Sequence, residues 1–251
     1  MSILLLTKQQ KIILPVDEAS TRSCVYFLSQ IGRTFSVERT LNADSCSPDR
    51  LLPVTCFNGH LLTGFDSLCN AVQSNKPIKS IYQAGDSNHD DEIASRSSRR
   101  VYFVWVSDVF RNIMLYFTWI HEPTYNGFTA PRLKPPGLPW PISTFVAKDR
   151  RKNYKEYFSS IGWDKKTLPN ILAELEGVCF GLTQLLGRGP YFFERNDPGR
   201  FDALVYGYWT VFLDFDSLFS PVIGILEKCH PVMDLVDRMR SSMASAVHDR
   251  F

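Results

Sequence analysis

The stretch from Gly189 to Trp209 constrains the fold of this chain most strongly, because a loop there leads into an unusually apolar helix. Gly199 stands at the expected N-cap, and Asp202 follows three residues later, where a carboxylate can accept backbone N–H groups of the first turn. Gly207 leaves room for a second helix to approach closely. We predict that this segment is the central helix of a helical domain, with Asp202 in a structural role. The apolar side of the helix is formed by Leu204, Val205, Tyr208 and Trp209.

Length, charge and cysteine spacing exclude several broad classes of protein. A chain of 251 residues can bury one large core or two small ones. Its formal net charge of +2 lacks the concentrated positive field that nucleic-acid binding requires. The six cysteines form no Cys-x-x-Cys pair and have no histidines at zinc spacing. We therefore expect reduced thiols in a cytosol-facing protein, with no metal, no cofactor and no nucleic-acid partner.

The best candidate for a membrane span is the aromatic segment Val101–Ile120. It carries Asp108 and Arg111 near its middle, and each ion would cost about 2.5–3.5 kcal/mol at the centre of a bilayer. The apolar start Met1–Leu6 has neither a basic region before it nor a cleavage site after it, so we expect no secretory signal. Any attachment to a membrane is therefore expected to be peripheral and to come through a partner.

The first part of the chain predicts a mixed α/β domain over residues 1–76. Asn58-Gly59 is a strong signal for a two-residue hairpin, and Pro53 stands just before its first strand. The predicted order is β-α-β, a loop, and then β-β-α, which is typical of a thioredoxin-like domain. The predicted elements are a strand over Lys11–Leu14 ended by Pro15, a helix over Asp17–Gly32 capped by Asp17 or Ser20, a strand over Thr34–Thr40, the hairpin within Leu51–Thr63 and a helix over Phe65–Ser74.

A polar segment separates this domain from a region with helical periodicity. We interpret residues 77–98 as a linker or as the polar start of a long helix, and residues 99–251 as an all-helical domain. Six prolines and two glycines in Pro123–Pro141 argue against regular structure there. The predicted helices are Arg99–His121, Ser143–Ile161, Thr167–Leu186, the helix after Gly199, and one helix or a pair over Pro221–Met243 interrupted at Pro231.

Two surface features of the helical region have open interpretations. A basic run on the helix Ser143–Ile161 is either a solvated face or a contact for anionic lipid or an acidic partner. The segment Arg132–Pro141 is either a docking loop or packs over the helical domain. The basic run consists of Lys148, Arg150, Arg151, Lys152 and Lys155.

A small thioredoxin-like domain followed by an all-helical domain resembles the glutathione-transferase superfamily. Leu52-Pro53-Val54 resembles its cis-proline before the third strand, and Gly199 with Asp202 resembles its helix-capping motif. The resemblance implies a reactive hydroxyl or thiol at the first strand–helix turn, but Asp17 and Glu18 there would disfavour a thiolate. The candidates for this group are Ser20, Thr21, Ser23 and Cys24.

The superfamily also holds its ligand with an acid–serine pair after the fourth strand. Counting from Gly59 places Phe65 at the serine position, and Asp66-Ser67 matches only with a slip of one residue. We therefore expect no catalytic residue, and at most a vestigial ligand cleft formed by Ser20, Phe65, Asp66 and Ser67.

Longer motifs identify a closer resemblance, to the metaxin family and within it to the metaxin-2 type. Three segments match in order and spacing, with further matches at Asn42–Asp44 with Ser47-Pro48 and at Pro139–Pro141. The sequence departs from the family in its acidic linker and at Thr63–Asp66. The three segments are Ile161–Leu168 (IGWDKKTL), Pro190–Phe193 (PYFF) and Phe201–Gly207 (FDALVYG).

The metaxin resemblance implies a non-enzymatic protein on the cytosolic face of the mitochondrial outer membrane. It implies a second metaxin, of the metaxin-1 type, as a partner. It also implies binding to the β-barrel assembly channel of the sorting and assembly machinery, and an adaptor role in mitochondrial transport with the Miro GTPase and motor adaptors. The alternative is a diverged glutathione-dependent transferase that uses Ser20, Ser23 or Cys24.

Overall fold

The computed structural model describes residues 3–41, 43–74, 89–133 and 142–248. A four-stranded sheet lies in the N-terminal region, with strand order β2-β1-β3-β4. β1 pairs in parallel with β2 and antiparallel with β3, and β3 pairs antiparallel with β4. The elements of this region are β1 (Ile3–Lys8), α1 (Pro15–Gln30), β2 (Phe35–Thr40), β3 (Val54–Phe57), β4 (His60–Thr63) and α2 (Gly64–Ser74), with a 3₁₀ turn at Ala43–Cys46.

The rest of the described chain is helical. Two π-helical turns, Tyr116–Ile120 and Tyr125–Thr129, interrupt it after the long helix α3. Short 3₁₀ turns lie at Trp163–Lys165 and Phe192–Glu194. The α-helices are α3 (His89–Leu115), α4 (Glu122–Thr124), α5 (Ala130–Arg132), α6 (Ile142–Ser160), α7 (Leu168–Leu186), α8 (Arg200–Asp214), α9 (Ser220–Leu226) and α10 (His230–His248).

This architecture confirms the predicted fold class, with a thioredoxin-like region followed by helices. The Asn58-Gly59 hairpin joins β3 to β4 as expected, with both turn residues at positive φ. Helices α1, α2, α6, α7 and α8 and strand β2 also lie where the sequence patterns place them. The pair α9 and α10 is interrupted near Pro231, which lies in the first turn of α10, where no N–H partner is required.

The predicted first strand is wrong. Lys11–Leu14 contains the end of a turn and two residues without regular structure, and the first strand is Ile3–Lys8, whose residues Ile3 and Leu5 are buried on the core side of the sheet. Pro15 does not end a strand but occupies the first turn of α1 after Leu14, which is the N-cap, so neither Asp17 nor Ser20 caps the helix. The proline was misread because its fixed φ suits the start of a helix as well as the end of a strand.

The prediction that prolines prevent regular structure is also wrong for residues 122–132. Pro123 and Pro131 each lie in the first turn of a short α-helix, where a missing N–H costs nothing. A π turn over Tyr125–Thr129 joins the two pieces and keeps the segment helical. Residues 134–141, which include Pro139–Pro141, lie outside the described residues.

The polar segment before residue 99 is the start of a long helix over at least part of its length, because α3 begins at His89. This agrees with the second of the two interpretations of that segment. The proposed boundary between residues 76 and 77 lies outside the described residues and stays a prediction.

Helix α8 forms the centre of the core. Every residue from Phe201 to Phe212 is buried, and α8 packs along α1 of the sheet region. The rings of Tyr26 and Tyr206 lie 4.7 Å apart across this contact. The predicted close approach of a second helix at Gly207 is confirmed. A Cβ there would lie 2.1 Å from Ser23 Oγ and 2.5 Å from the Ala19 carbonyl oxygen, both on α1.

Candidate functional site

The first strand–helix turn, where the superfamily resemblance implies a reactive group, holds an ion-pair network instead. Asp44 Oδ2 accepts hydrogen bonds from Lys8 Nζ at 2.9 Å and from Arg150 Nη2 at 2.8 Å. Lys8 ends β1, Asp44 lies in the 3₁₀ turn after β2 and Arg150 comes from α6. Burial alone would raise the pKa of Asp44, but the hydrogen bonds and charges of Lys8 and Arg150 hold it below its ordinary value. The network therefore ties the sheet region to the helical region.

A second network lies beside the first. Glu18 is buried and accepts from Arg22 Nε at 3.1 Å and from Arg39 Nη1 at 3.2 Å. Arg22 also donates to Asp214 at the end of α8, at 2.5 Å. The carboxylate of Glu18 therefore holds α1 against β2, and Arg22 links α1 to the end of α8, which gives both residues a structural role.

Asp17 is the titratable group that this environment perturbs most clearly. Burial raises its pKa from 3.8 to about 6; the charges of Lys8 and Arg150 lower it, and those of Asp44 and Glu18 raise it. A carboxyl group with a pKa near 6 can exchange protons close to neutral pH, as general acids and bases do. Structural ion-pair networks produce the same shift, and Asp17 lies beside one.

The candidate nucleophiles on α1 are held in environments that favour their neutral forms. The Thr21 hydroxyl donates to the Asp17 carbonyl oxygen at 2.7 Å and lies 3.1 Å from the Thr7 hydroxyl. Ser23 donates to the Ala19 carbonyl oxygen at 3.0 Å beneath Gly207. Burial raises the pKa of the Cys24 thiol well above its ordinary value. Ser20 is half-buried on the same helix.

The other residues of the expected vestigial cleft have separate roles. Phe65 is core, with its ring 6.1 Å from that of Phe27 and 6.4 Å from that of Phe103. Asp66 points to α8, where it pairs with Arg200 at 2.8 Å, and Ser67 is half-buried on α2. A shared ligand site for Ser20, Phe65, Asp66 and Ser67 therefore stays a prediction.

Pro53 and Asp202, the residues of the proline and capping motifs, have the local geometry that those motifs imply. The Leu52–Pro53 peptide bond is cis, and the Pro53 carbonyl oxygen accepts from Gly64 N–H at 3.0 Å. Asp202 Oδ2 accepts from Gly199 N–H at 2.8 Å, and its Oδ1 accepts from Phe192 N–H at 3.0 Å. Burial raises the pKa of Asp202, and these backbone hydrogen bonds oppose the effect.

The basic run on α6 divides into two groups. Arg150 belongs to the Asp44 network, and Arg151 donates to Glu122 at 2.6 Å and to the Trp119 carbonyl oxygen at 3.0 Å. Lys148, Lys152 and Lys155 are exposed, which favours the solvated-face interpretation for the lysines. Sequence reasoning missed the intramolecular use of the arginines, because Asp44 and Arg150 are 106 residues apart and no local signal links them.

An exposed apolar surface lies across α3 and α7, and we name it the α3–α7 strip. Val101 and Phe180 are 67% and 69% exposed. The ring of Trp105 lies against the backbone of Gly181, because a Cβ there would be 3.0 Å from Trp105 Cζ3. Exposed apolar side chains on two neighbouring helices are candidates for a surface that binds another protein. The strip consists of Val101, Val104, Trp105 and Phe180.

Neither a metal cluster nor a membrane-spanning helix is found in the part of the chain that the structure describes. No three histidine, cysteine or acidic side chains there are placed to hold a metal ion. None of the described helices combines the length and the hydropathy needed to cross a bilayer.

Comparisons with known proteins place the chain in a family. The sequence profile of the Tom37 family, described as "Outer mitochondrial membrane transport complex protein", matches residues 21–151, which is more than half of the chain. A profile described as "Glutathione S-transferase, C-terminal domain" matches residues 176–239.

Individual relatives and a solved structure agree with these profiles. Metaxin-2 of Homo sapiens is 28% identical over 78% of this chain and 71% of its own length. The metaxin-2 homolog of Caenorhabditis elegans is 25% identical over 76% of this chain and 79% of its own length. A glutathione S-transferase from Xylella fastidiosa has the same fold, with a TM-score of 0.53, 11% identity and coverage of 97% of this chain and 98% of its own.

The match over residues 21–151 begins within α1 and ends at Arg151 of α6, so it includes Asp44 and Arg150 of the first ion-pair network but not Lys8. The metaxin-2 matches cover about three quarters of this chain. The chain therefore belongs to the Tom37 family of outer mitochondrial membrane transport complex proteins, with metaxin-2 proteins among its relatives and a glutathione-transferase-like fold.

Proposed function

We propose that this chain is a non-enzymatic subunit of the mitochondrial outer-membrane import and sorting machinery. In this role it binds a second metaxin and acts at the cytosolic face, together with the β-barrel assembly channel of the sorting and assembly machinery. A link to mitochondrial transport through the Miro GTPase and motor adaptors belongs to the same proposal. The observation that carries it is the family match over residues 21–151.

The environment of the first strand–helix turn supports a role without catalysis. Ser23 and Thr21 donate to backbone carbonyl oxygens of their own helix, and burial raises the pKa of Cys24. A nucleophile needs the opposite surroundings, namely an adjacent base or a lowered pKa. The end of β1 beside this turn is occupied by the ion pairs that Asp44 forms with Lys8 and Arg150.

The α3–α7 strip supports the partner-binding part of the proposal. It combines two side chains that are about two-thirds exposed with the large ring of Trp105, and aromatic side chains at the centre of an interface contribute much of the binding energy. We assign the second metaxin to this surface.

The partner assignment is tested by pulldown of the full chain from mitochondrial extract, with identification of a metaxin-1-type chain by mass spectrometry. We expect Phe180→Asp to reduce its recovery strongly. The matched control is Phe145→Asp on α6, which changes a side chain that is 68% exposed in the same way. Equal recovery with Phe180→Asp and the unmodified chain would reject this surface, and recovery of no metaxin at all would reject the pairing.

The non-enzymatic assignment is tested separately with immobilised glutathione and with an electrophilic test substrate. We expect neither retention nor turnover. Glutathione-dependent turnover that is lost in Ser20→Ala would instead establish the transferase alternative.

Fractionation gives a third test, because the chain should co-purify with outer membranes and be partly stripped by alkaline carbonate.

A further inference from the structure

A cavity of about 590 Å³ lies between α2, α3 and the start of α8, and Val104 is the one lining residue that it shares with the α3–α7 strip. Its lining contains four arginines and two carboxylates, together with the rings of Phe103 and Phe193. It does not include Ser20 or Pro53, so it is distinct from the first strand–helix turn. We name it the arginine cavity after Arg99, Arg100, Arg195 and Arg200.

The positive charge of the arginine cavity is only partly balanced. Arg200 donates to Asp66 and to Asn70, both at 2.8 Å, so its charge has a partner. The second carboxylate, Asp202, accepts the backbone N–H groups of Gly199 and Phe192, and the nearby charge of Arg195 acts to lower its pKa. Among the side chains that the structure describes, in residues 3–41, 43–73, 98–133 and 144–243, no carboxylate lies within 4.0 Å of the guanidinium groups of Arg99, Arg100 and Arg195.

Packing holds several of these guanidinium groups in place. Arg99 lies over the ring of Phe193 at 5.3 Å, and Arg200 lies over the ring of Phe103 at 4.5 Å. Arg195 packs against the backbone of Gly199, because a Cβ at that glycine would be 3.1 Å from Arg195 Nη1. Side chains that are already positioned lose less conformational entropy when a ligand binds.

The charge and size of the cavity select the chemistry of a ligand. Guanidinium groups bind carboxylates and phosphates through paired N–H donors. A monocarboxylate brings one negative charge to these three arginines, whereas a phosphate monoester carries roughly −1.5 to −2 at neutral pH and presents three acceptor oxygens. The volume is in the range of ligand pockets, about 300–1,000 Å³, and exceeds that of a bare phosphate ion.

We propose that the arginine cavity binds a phosphate monoester through Arg99, Arg100 and Arg195, with Arg200 fixing the wall between α2 and α8. The phosphate comes either from a soluble phosphorylated molecule or from the headgroup of a phospholipid. This inference goes beyond the proposed function, because it does not require a second metaxin.

A soluble phosphate ester and a lipid headgroup are distinguished by offering a phosphate monoester to the full chain in both forms. One arm measures binding of glycerol 3-phosphate by calorimetry at physiological ionic strength. The other measures binding to phosphatidylcholine vesicles that contain phosphatidic acid, against vesicles of equal surface charge made with phosphatidylserine. Saturable binding in the first arm assigns a soluble ester. Preference for phosphatidic acid over phosphatidylserine in the second arm assigns a lipid headgroup.

The variant Arg99→Gln/Arg100→Gln/Arg195→Gln is expected to weaken binding by about tenfold or more, since hydrogen bonds to charged groups are worth about 1.5–3 kcal/mol each. The matched control is Lys148→Gln/Lys152→Gln/Lys155→Gln, which removes the same charge from the exposed face of α6. The single variant Arg195→Glu gives the same test if the triple variant does not fold. Equal loss in the two triple variants would overturn the proposal. So would equal binding to the two kinds of anionic vesicle without binding of glycerol 3-phosphate, or the absence of binding in both arms.

Discussion

At the scale of single residues, Asp202 stabilises the start of α8 through two backbone contacts. Its carboxylate accepts N–H groups from Gly199 and from Phe192, which lies in the preceding loop. One side chain therefore satisfies a helix terminus and fixes the loop that leads to it. Both acceptor oxygens are buried, so their removal leaves N–H donors without partners in the protein interior.

We expect Asp202→Ala to lower the free energy of unfolding by roughly 1–2 kcal/mol, as the loss of a helix cap does. Asp202→Asn, which keeps one acceptor, should fall between the wild type and the alanine variant. Chemical denaturation measures the difference. Asp197→Ala, in the exposed part of the same loop, is the control and should change stability by less than about 0.5 kcal/mol. An Asp202→Ala protein as stable as this control would refute the capping role.

Asp17 gives a second prediction at this scale, on pH dependence. Burial raises its folded-state pKa from 3.8 to about 6, so the folded protein binds a proton that the unfolded chain has released. The contribution of Asp17 to stability therefore falls as pH rises from about 4 to 6, by about 2–3 kcal/mol in all. We expect Asp17→Asn to increase the free energy of unfolding at pH 7.5, because it removes the ionised form.

The same variant supplies its own control at low pH. At pH 4 Asp17 is already protonated in the folded protein, so Asp17→Asn should have little effect there. Other carboxyl groups change the stability of both proteins equally, so the quantity to follow by urea denaturation is the difference between them. A difference that does not change between pH 4 and pH 7.5 would contradict the raised pKa.

At the scale of elements, the contact between α1 and α8 depends on Gly207. A Cβ there would lie 2.1 Å from Ser23 Oγ and 2.5 Å from a backbone oxygen of α1. The hydroxyl could turn away, but the backbone oxygen cannot move without shifting the helix. We expect Gly207→Ala to lower the free energy of unfolding by about 3 kcal/mol, at the upper end of overpacking effects, as measured by thermal and chemical denaturation.

Two comparisons isolate the cause of this loss. Gly177→Ala changes a glycine in the middle of α7 with no heavy atom near its added Cβ, and it should raise stability by about 0.5–1 kcal/mol. Ser23→Ala in the Gly207→Ala background removes the hydroxyl but leaves the Ala19 carbonyl, so it should restore only part of the loss. Full recovery would show that the close helix approach is not the limiting contact.

The elements that could be predicted from sequence are those whose signals are local. Asn58-Gly59 determines its hairpin through two backbone conformations, and Asp202 marks a helix start three residues away. The errors arose where one residue suits two structures. Pro15 and Pro123 were interpreted as breaks, yet each occupies the first turn of a helix. The short strand Ile3–Lys8 was missed because its pairing partners lie some 30 to 50 residues away.

The candidate sites were less predictable than the fold, because their contacts are non-local. The Asp44–Arg150 pair joins residues that are 106 positions apart, and neither the family match at Asn42–Asp44 nor the basic run on α6 signals that they pair. The arginine cavity draws on α2, α3 and α8, so its charge is visible only after folding. By contrast, motifs spread along the chain were sufficient to identify the family, since their order and spacing are properties of the sequence.

At the scale of the whole molecule, ion pairs among the described residues join the sheet region to the helical region at three separate places. Arg150 pairs with Asp44, Arg22 with Asp214, and Arg200 with Asp66. Asp44 is the least exposed of the three carboxylates. It also accepts a hydrogen bond from Lys8 at the end of β1. Loss of a buried partner leaves uncompensated charge, which costs more than loss of an exposed pair.

The last prediction concerns this first pair. Asp44→Ala leaves Lys8 and Arg150 without their acceptor and should lower the free energy of unfolding by about 3 kcal/mol. Arg150→Met should cost less, about 1 kcal/mol, because Lys8 still neutralises Asp44. The double variant should lose less than the sum of the two, which a double-mutant cycle measures directly. Additive losses would show that the two side chains do not interact.

A pH series separates this network from simple loss of packing. The pKa of Asp44 lies below its ordinary value in the folded protein, so its stabilising effect is present above pH 4 and disappears as pH falls through the folded-state pKa. The difference in stability between wild type and Asp44→Ala should therefore shrink on acidification. The control is Lys152→Met in the exposed Lys152–Glu156 pair, which should change stability by less than about 0.5 kcal/mol. A loss that stays constant down to pH 3 would assign the effect of Asp44→Ala to packing and not to the charge that joins the two regions.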